Sequence, residues 1–376
     1  MKTTMRAIAA VAAMTLFATA CSDAPDETAE PTETGTDAPD PTDTETEAAD
    51  FLACQVTDTG GIDDRSFNQT AFKGIEDAEA DLGVEGQVLE SQSEADFVPH
   101  INEFISQGCD IIVTVGFLLG GATAEAAEAN PDQKFAIVDF DFAAFDDEGN
   151  FVEDVVYDNV LELNFKTDEA AFLAGYLAAG MTETGKVGTY GGLEIPTVTI
   201  FMDGFLAGVL KYNADNGTAV EVVGWDGTTG VFAGAFKDLQ AGGNNTDQFL
   251  ADGVDIVMPV AGPVGQGSAA ALDEAGTGSL IWVDSDGFES ASQFADLMLT
   301  SVQKKMDVAV FTAIEQAQDG SFTGGIYQGT LENGGVDIAP YHEFEDDVPQ
   351  ALKDAIEELR AGIIAGDIPV TSADYQ

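Results

Sequence analysis

Short apolar runs that close on Asp or Gly recur along this chain, and a segment with helical spacing follows almost every one. FLACQVTD (51–58) comes first and is bounded by Gly60 and Gly61. Phe67, Ala71, Ile75 and Ala78 then fall at helical spacing and stop before Gly83. GQVLES (86–91) predicts a short strand, and Phe97, Ile101, Phe104 and Ile105 predict a helix face ended by Gly108. CDIIVTVG (109–116) is nearly all apolar, as a strand buried on both faces requires. An alanine-rich helix (122–130) ends at Pro131, and KFAIVDF (134–140) is the next strand. Strands spaced by helices of this length imply right-handed βαβ units and a doubly wound parallel sheet.

The alternation restarts after an irregular acidic stretch near 146–154. A long helix is predicted over 163–182, leading to strand KVGTYGG (186–192). Helix 197–213, strand 219–225, a helix around Phe249, strand 255–262, a helix from Ser268 and strand 279–286 follow. Strand 297–302, helix 304–317, a tail with Pro340 and a final helix over 348–366 complete the chain. Residues 51–376 are too many for one core of ordinary size. The expected fold class is therefore α/β, with two doubly wound parallel-sheet lobes. Lobe 1 is expected over about 51–162 plus 286–318, and lobe 2 over about 163–285 plus 319–376.

The first fifty residues have a different character. Lys2 and Arg6 precede an apolar, small-residue run (7–20) that ends at Cys21. That pattern over 1–20 reads as a secretory signal, and the run is too short for a permanent membrane span. A cysteine after Ala18-Thr19-Ala20 resembles the bacterial signal for lipid attachment; the alternative is a cleaved signal with an incidental cysteine. Residues 22–50 hold eleven acidic residues, no basic one and no aromatic or branched aliphatic side chain. Such a segment cannot bury enough apolar surface to offset ordering entropy, so a disordered tether is expected.

The whole chain carries a formal charge of −55. Nucleic acid is excluded as a partner by the usual electrostatic route, since phosphates would be repelled. Polyanionic ligands are disfavoured for the same reason. Cys54 and Cys109 each sit in an apolar strand-like run. A disulfide between them is one reading, and two buried thiols packing as small hydrophobes is the favoured one. His100 and His342 stand far apart, no metal-ligand spacing occurs, and no cofactor is expected.

Ligands of open α/β sheets bind outside the carboxyl ends of the strands. The ends expected here are Asp58, Gly116-Phe117, Asp139, Gly191-Gly192, Ala261-Gly262 and Asp284. Three aspartates in equivalent positions point to a polar ligand with several hydroxyl or N–H donors, with helix capping as the alternative for each.

The segments GIDDRSFN (61–68), VGF (115–117), AIVDF (136–140), KVGTYGG (186–192), PVAGPVGQG (259–267), VDSD (283–286) and TSVQK (300–304) occur in this order. Together they resemble the basic membrane protein family, lipoprotein substrate-binding proteins of ABC transporters similar to the purine nucleoside receptor A type. The resemblance covers about 51–376. It implies the type I periplasmic binding protein fold, with a nucleoside bound between the lobes and delivered to an ABC permease. It further implies a lipid-anchored, extracytoplasmic and monomeric protein.

Carried over by position, the resemblance implies that Phe67 stacks on a nucleobase. Asn68 and Asp58 take hydrogen bonds nearby, Asp139 faces the base edge and Asp284 accepts from the ribose hydroxyls. Lys304 donates to a ribose oxygen, and Gly262 allows close backbone approach. The strand IVMPVAG carries Met258 where relatives usually have Phe, so Met258 is expected as the second stacking face. Phe117 or Trp282 is an alternative second face. Phe67 also fits an apolar stripe with Ala71 and Ile75, Asp63 and Asp64 fit a helix cap, and Lys304 fits an exposed position.

Two other classes stay open. The type I fold also serves receptors for sugars or signalling molecules. A nucleoside hydrolase would use aspartates such as those of GIDD and DFDF, but no triad, Cys-His pair or metal motif supports an enzyme. GPVGQG lacks the residues of a phosphate-binding loop.

Overall fold

The computed structural model describes residues 51–145 and 151–375. The signal segment 1–20, Cys21 and the tether 22–50 lie outside the described residues. Fourteen strands and ten α-helices are described. In chain order they run β1 (Leu52–Val56), α1 (Phe67–Leu82), β2 (Glu85–Leu89), α2 (Phe97–Gln107), β3 (Ile111–Val115), α3 (Gly120–Ala129) and β4 (Lys134–Val138). The ribbon strands β5 (Ala143–Phe145) and β6 (Phe151–Asp154) precede β7 (Val160–Phe165) and α4 (Thr167–Met181). Next come β8 (Lys186–Gly191), α5 (Pro196–Asn216), β9 (Glu221–Val223), α6 (Leu239–Ala251), β10 (Ile256–Val260) and α7 (Gly265–Ala275). The chain ends with β11 (Ser279–Asp284), α8 (Gly287–Ser290), β12 (Met298–Lys304), α9 (Met306–Asp319), β13 (Gly325–Gly329), β14 (Val336–Ile338) and α10 (Gln350–Ile364).

Two six-stranded sheets result, ordered β13-β7-β4-β3-β1-β2 and β14-β12-β11-β10-β8-β9. All pairs in the first sheet are parallel, and in the second only β12–β14 is antiparallel. The central strands are fully buried runs such as IIVTV in β3 and IVMPV in β10, which explains why they show no alternation. The chain passes between the sheets three times, after β7, after β12 and between β13 and β14. The crossings are tied to one another: Lys166 N donates to the Gly329 carbonyl at 2.7 Å, and Lys305 N to the Gly335 carbonyl at 2.9 Å.

The structure differs from expectation at several places. Residues 163–165 belong to β7, not to the long helix, which starts at Thr167. The run VLELNF alternates with period two, but the apolar helix behind it masks the signal. Its polar members Glu162 and Asn164 are buried, with Glu162 accepting from Phe142 N at 3.2 Å and Asn164 bonded to Asp141. The boundary near 286 is also displaced. β12 pairs with β11 in the second sheet, so the chain returns to lobe 1 only after Lys304. Conversely, β13 joins lobe 1 beside β7.

The third correction concerns the cysteines. Cys54 and Cys109 form a disulfide with a Cα–Cα separation of 6.1 Å. β1 and β3 are sheet neighbours, which sequence separation conceals. Closing a 55-residue loop stabilises the fold by about 4 kcal/mol on chain-entropy grounds.

Candidate ligand-binding site

The carboxyl ends of both sheets face one cavity with about 560 Å³ of empty space. Asp58, Phe67, Asn68, Asp139, Gly262, Asp284 and Lys304 all line it. The eighth expected residue does not. Met258 lies in the middle of β10 with no exposed surface, and its carbonyl accepts from Thr189 Oγ1 at 2.8 Å. A side chain two residues before the strand end packs into the core below the cavity floor. The expectation of Met258 as a stacking face is therefore corrected.

The aromatic surface comes from elsewhere. Phe117 follows β3, Phe201 sits in the second turn of α5, and Phe236 stands in the loop between β9 and α6; all three line the cavity. Phe201 was hidden in an apolar helical run. Phe236 lies in VFAGAFKD, which has no periodicity to single it out. One signal was legible nevertheless. A Cβ on Gly192 would meet the Phe236 ring at 2.2 Å, so the Gly191-Gly192 pair ends β8 bare to leave room for an aromatic side chain. Trp282, the other aromatic alternative, is 1% exposed and is not among the lining residues.

The start of α1 builds the lobe 1 wall. Asp64 accepts from the backbone N–H groups of Ser66, Asn68 and Gln69 at 2.9, 2.7 and 3.1 Å, so it caps the first turn. The capping alternative thus holds for Asp64, although it also lines the cavity. Asn68 Nδ2 donates to Asp58 Oδ1 at 2.7 Å and to Asp64 Oδ2 at 3.1 Å. Asp58 N donates back to Asn68 Oδ1 at 3.2 Å. These bonds lock one face of three acceptor groups. Burial pushes the Asp58 carboxyl above its ordinary range, against the bonds from Asn68 and Gly60. Burial likewise pushes Asp64 up to about 7, against its three backbone donors.

Lys304 is the pivot. It ends β12, is 2% exposed, bonds to Asp139 and lies 3.2 Å from Asp284 Oδ1. Its ammonium stands 4.6 Å from the centroid of Phe67 and 5.2 Å from that of Phe201. Burial opposes its charge, but the Asp139 and Asp284 carboxylates outweigh that and raise its pKa. Asp139 and Asp284 stand at φ 61° and 70°, left-handed values that only a few non-glycine residues adopt. Backbone strain of this kind persists where surrounding structure over-determines it, commonly at ligand sites. Gly262 at φ 55° has nothing within 4 Å of its would-be Cβ, so conformation rather than space favours glycine there.

One lysine and four aspartates, three from lobe 1 and one from lobe 2, make a cavity rich in acceptors and poor in positive charge. It suits a neutral ligand bearing several donors and an aromatic or apolar face. Among the described residues, no group of three or more His, Cys, Asp or Glu is placed to hold a metal ion.

Two doubly wound lobes, three crossings and a cavity walled by strand ends define a two-lobed solute-binding protein of the type I periplasmic binding protein fold. Residues 51–373 match the family model described as ABC transporter substrate-binding protein PnrA-like, and the chain belongs to this family. It is 31% identical to the CD4+ T-cell-stimulating antigen of Listeria monocytogenes, over 85% of this chain and 88% of that protein. It is 32% identical to the ABC transporter nucleoside-binding protein BmpA of Lactococcus lactis subsp. cremoris, over 86% of this chain and 90% of that protein. An ABC transporter solute-binding protein of Aeropyrum pernix K1 superposes with a TM-score of 0.74 at 29% identity, covering 86% of this chain and 95% of that one. The family comprises substrate-binding proteins, and the chain is a binding protein rather than an enzyme.

Proposed function

We propose that this protein is the receptor of an ABC importer for a nucleoside, most readily a purine nucleoside. The observation that carries the reading is the pairing of aromatic faces with an acceptor-rich wall. Phe67 comes from one lobe and Phe201 and Phe236 from the other, an arrangement that supports stacking of a planar base. Asp139 accepts from N–H groups on the base edge. Asp284 accepts from the 2′- and 3′-hydroxyls, and Lys304 donates to a ribose oxygen. Gly262 lets its backbone approach the ligand. A 5′-phosphate would meet four carboxylates and one already paired lysine, so nucleotides are rejected.

The relative named as a nucleoside-binding protein supports the same substrate class. The leader pattern ending at Cys21, together with a Pyrococcus abyssi relative named as a lipoprotein, supports a lipid-anchored, extracytoplasmic receptor. The receptor acts as a monomer and hands its ligand to a membrane permease.

A thermal-shift screen against nucleosides, free bases, nucleotides and simple sugars tests this reading, because a ligand that binds only the folded state raises its melting temperature. The expected result is a rise with adenosine, guanosine or inosine and none with nucleotides. A rise with sugars alone overturns the nucleoside reading in favour of a sugar receptor.

A further inference from the structure

Three hydrogen bonds join the two lobes at the Arg65–Ser66 turn, and neither residue of that turn lines the ligand cavity. Trp282 Nε1 donates to the Arg65 carbonyl at 3.1 Å. Ser285 Oγ donates to the same carbonyl at 3.1 Å. Ser66 Oγ donates to Asp284 Oδ2 at 2.7 Å, with the Val283 carbonyl also within 3.2 Å. Arg65 and Ser66 precede α1 in lobe 1, whereas Trp282, Asp284 and Ser285 belong to or follow β11 in lobe 2.

The local structure is costly, and its cost has no other evident use. Arg65 is held at φ 63°, and its carbonyl receives both lobe 2 donors. Ser66 is fully buried, and its hydroxyl is not used to cap α1, since Asp64 does that. Its single strong acceptor is across the lobe boundary. Ser66 is fully buried and its bond to Asp284 is shielded from water, where an unmade partner is most expensive, whereas the two bonds to the Arg65 carbonyl lie nearer the surface. Lys237 also reaches across, donating to the Gln92 carbonyl at 2.5 Å, but both residues are exposed and that contact is weak by comparison.

We propose that the Arg65–Ser66 turn is the closure latch of this receptor and that Ser66 is a positioning residue for the ligand. Ser66 fixes Asp284 by Oδ2, while Oδ1 stands on the Lys304 side at 3.2 Å. The lobe-closing bond and the ligand-facing carboxylate are thereby one unit. When the lobes part, the Arg65 carbonyl, the Trp282 N–H and the Ser66 hydroxyl all return to water. The latch therefore acts on the closed state alone, and shifts the open–closed balance by its own differential free energy. Such contacts slow ligand release and leave the encounter rate unchanged.

The inference rests on the receptor reading but not on the ligand being a nucleoside. It is tested in the full chain with Ser66→Ala, and with Ser285→Ala as the milder variant. Fluorophores at the exposed positions Glu103 on α2 and Glu274 on α7 report the interlobe distance, and adenosine is the ligand probe. Ser66→Ala is expected to raise the adenosine dissociation rate about 10-fold, with the association rate within about 2-fold of the parent. It also lengthens the mean interlobe distance. Ser285→Ala moves both readouts in the same direction by a smaller factor, and decides the matter if Ser66→Ala does not fold. A changed interlobe distance with no response to adenosine supports the latch and removes adenosine as the ligand. Parental interlobe distance and parental dissociation rate in both variants overturn the latch.

Discussion

Laid strand on strand, the two sheets match position for position: β4 and β11 are both third, and β1 and β8 both fifth. The third strands end alike. Asp139 and Asp284 are each 6% exposed, each in a left-handed conformation and each in contact with Lys304. The fifth strands end differently. β1 is followed by Asp58, which Asn68 holds beside Asp64, whereas β8 ends on glycines that the rings of Phe232 and Phe236 approach. At these two ends lobe 1 supplies fixed acceptors and lobe 2 leaves room for aromatic rings. A repeated architecture has kept one repeated acid and otherwise divided the chemistry, as expected when function resides in side chains grafted onto a fold.

The shared acid pair gives the largest test of this comparison. Lys304→Met leaves Asp139 and Asp284 buried and without their cation, so it should destabilise the protein by about 3–5 kcal/mol and abolish ligand binding. Urea unfolding with calorimetric titration checks both. Parental stability in that variant would mean that the two acids do not depend on a common partner. Next in size is an effect confined to lobe 1. Replacing Cys54 and Cys109 by alanine should cost about 4 kcal/mol, read from the shift in urea midpoint, because lobe 2 has no counterpart to this staple among the described residues.

Substitution of the two acids one at a time sharpens the comparison. Asp284→Ala should weaken nucleosides at least about 100-fold and free bases only about 10-fold, since both lose the closure bond to Ser66 but only nucleosides lose two hydroxyl bonds to a carboxylate. Asp139→Ala should weaken both classes together. Equal losses for nucleosides and bases in Asp284→Ala would remove the ribose role. Smaller still is the aromatic contrast. Phe236→Ala should weaken nucleoside binding about 10-fold, the size of one stacking face, whereas Met258→Leu should change it by less than about 2-fold. Titration calorimetry on both variants decides which lobe 2 residue meets the ligand.

The same contrast shows what was legible in the sequence. Strand ends were readable because buried parallel strands are continuous apolar runs that stop at a polar residue or glycine, and Asp58, Asp139, Gly262 and Asp284 meet at the cavity; Phe67, Asn68 and Lys304 join them there but were expected from the family resemblance alone. Residues set by loops or by sheet order were not. Phe236 has no periodic neighbours, and the Cys54–Cys109 bond depends on β1 lying beside β3. The placement of β12 in lobe 2 depends on pairing with β11, which no local pattern encodes. Met258 was misplaced because a motif fixes a position along the strand but not the side of the sheet or the depth below its end.

The smallest effect concerns pH. Burial raises Asp64 from 3.8 to about 7 and Glu162 from 4.5 to about 7, and both belong to lobe 1. Asp58 is displaced in the same direction by burial. In each case the folded protein holds a proton that the unfolded chain has already released at the same pH. Stability from these groups is therefore complete below about pH 4 and is lost as pH rises through about 7. The ligand-free protein should melt a few degrees higher at pH 5 than at pH 8. Asp64→Asn should flatten that slope, although the uncharged amide gives up the strongest acceptor at the start of α1 and lowers the melting temperature at both pH values. A slope that persists unchanged in Asp64→Asn would assign the pH dependence to Glu162 and Asp58, or to the general self-repulsion of a chain carrying a net charge of −55. Salt separates these two sources, because screening suppresses repulsion between exposed charges but hardly reaches carboxyls buried in the fold.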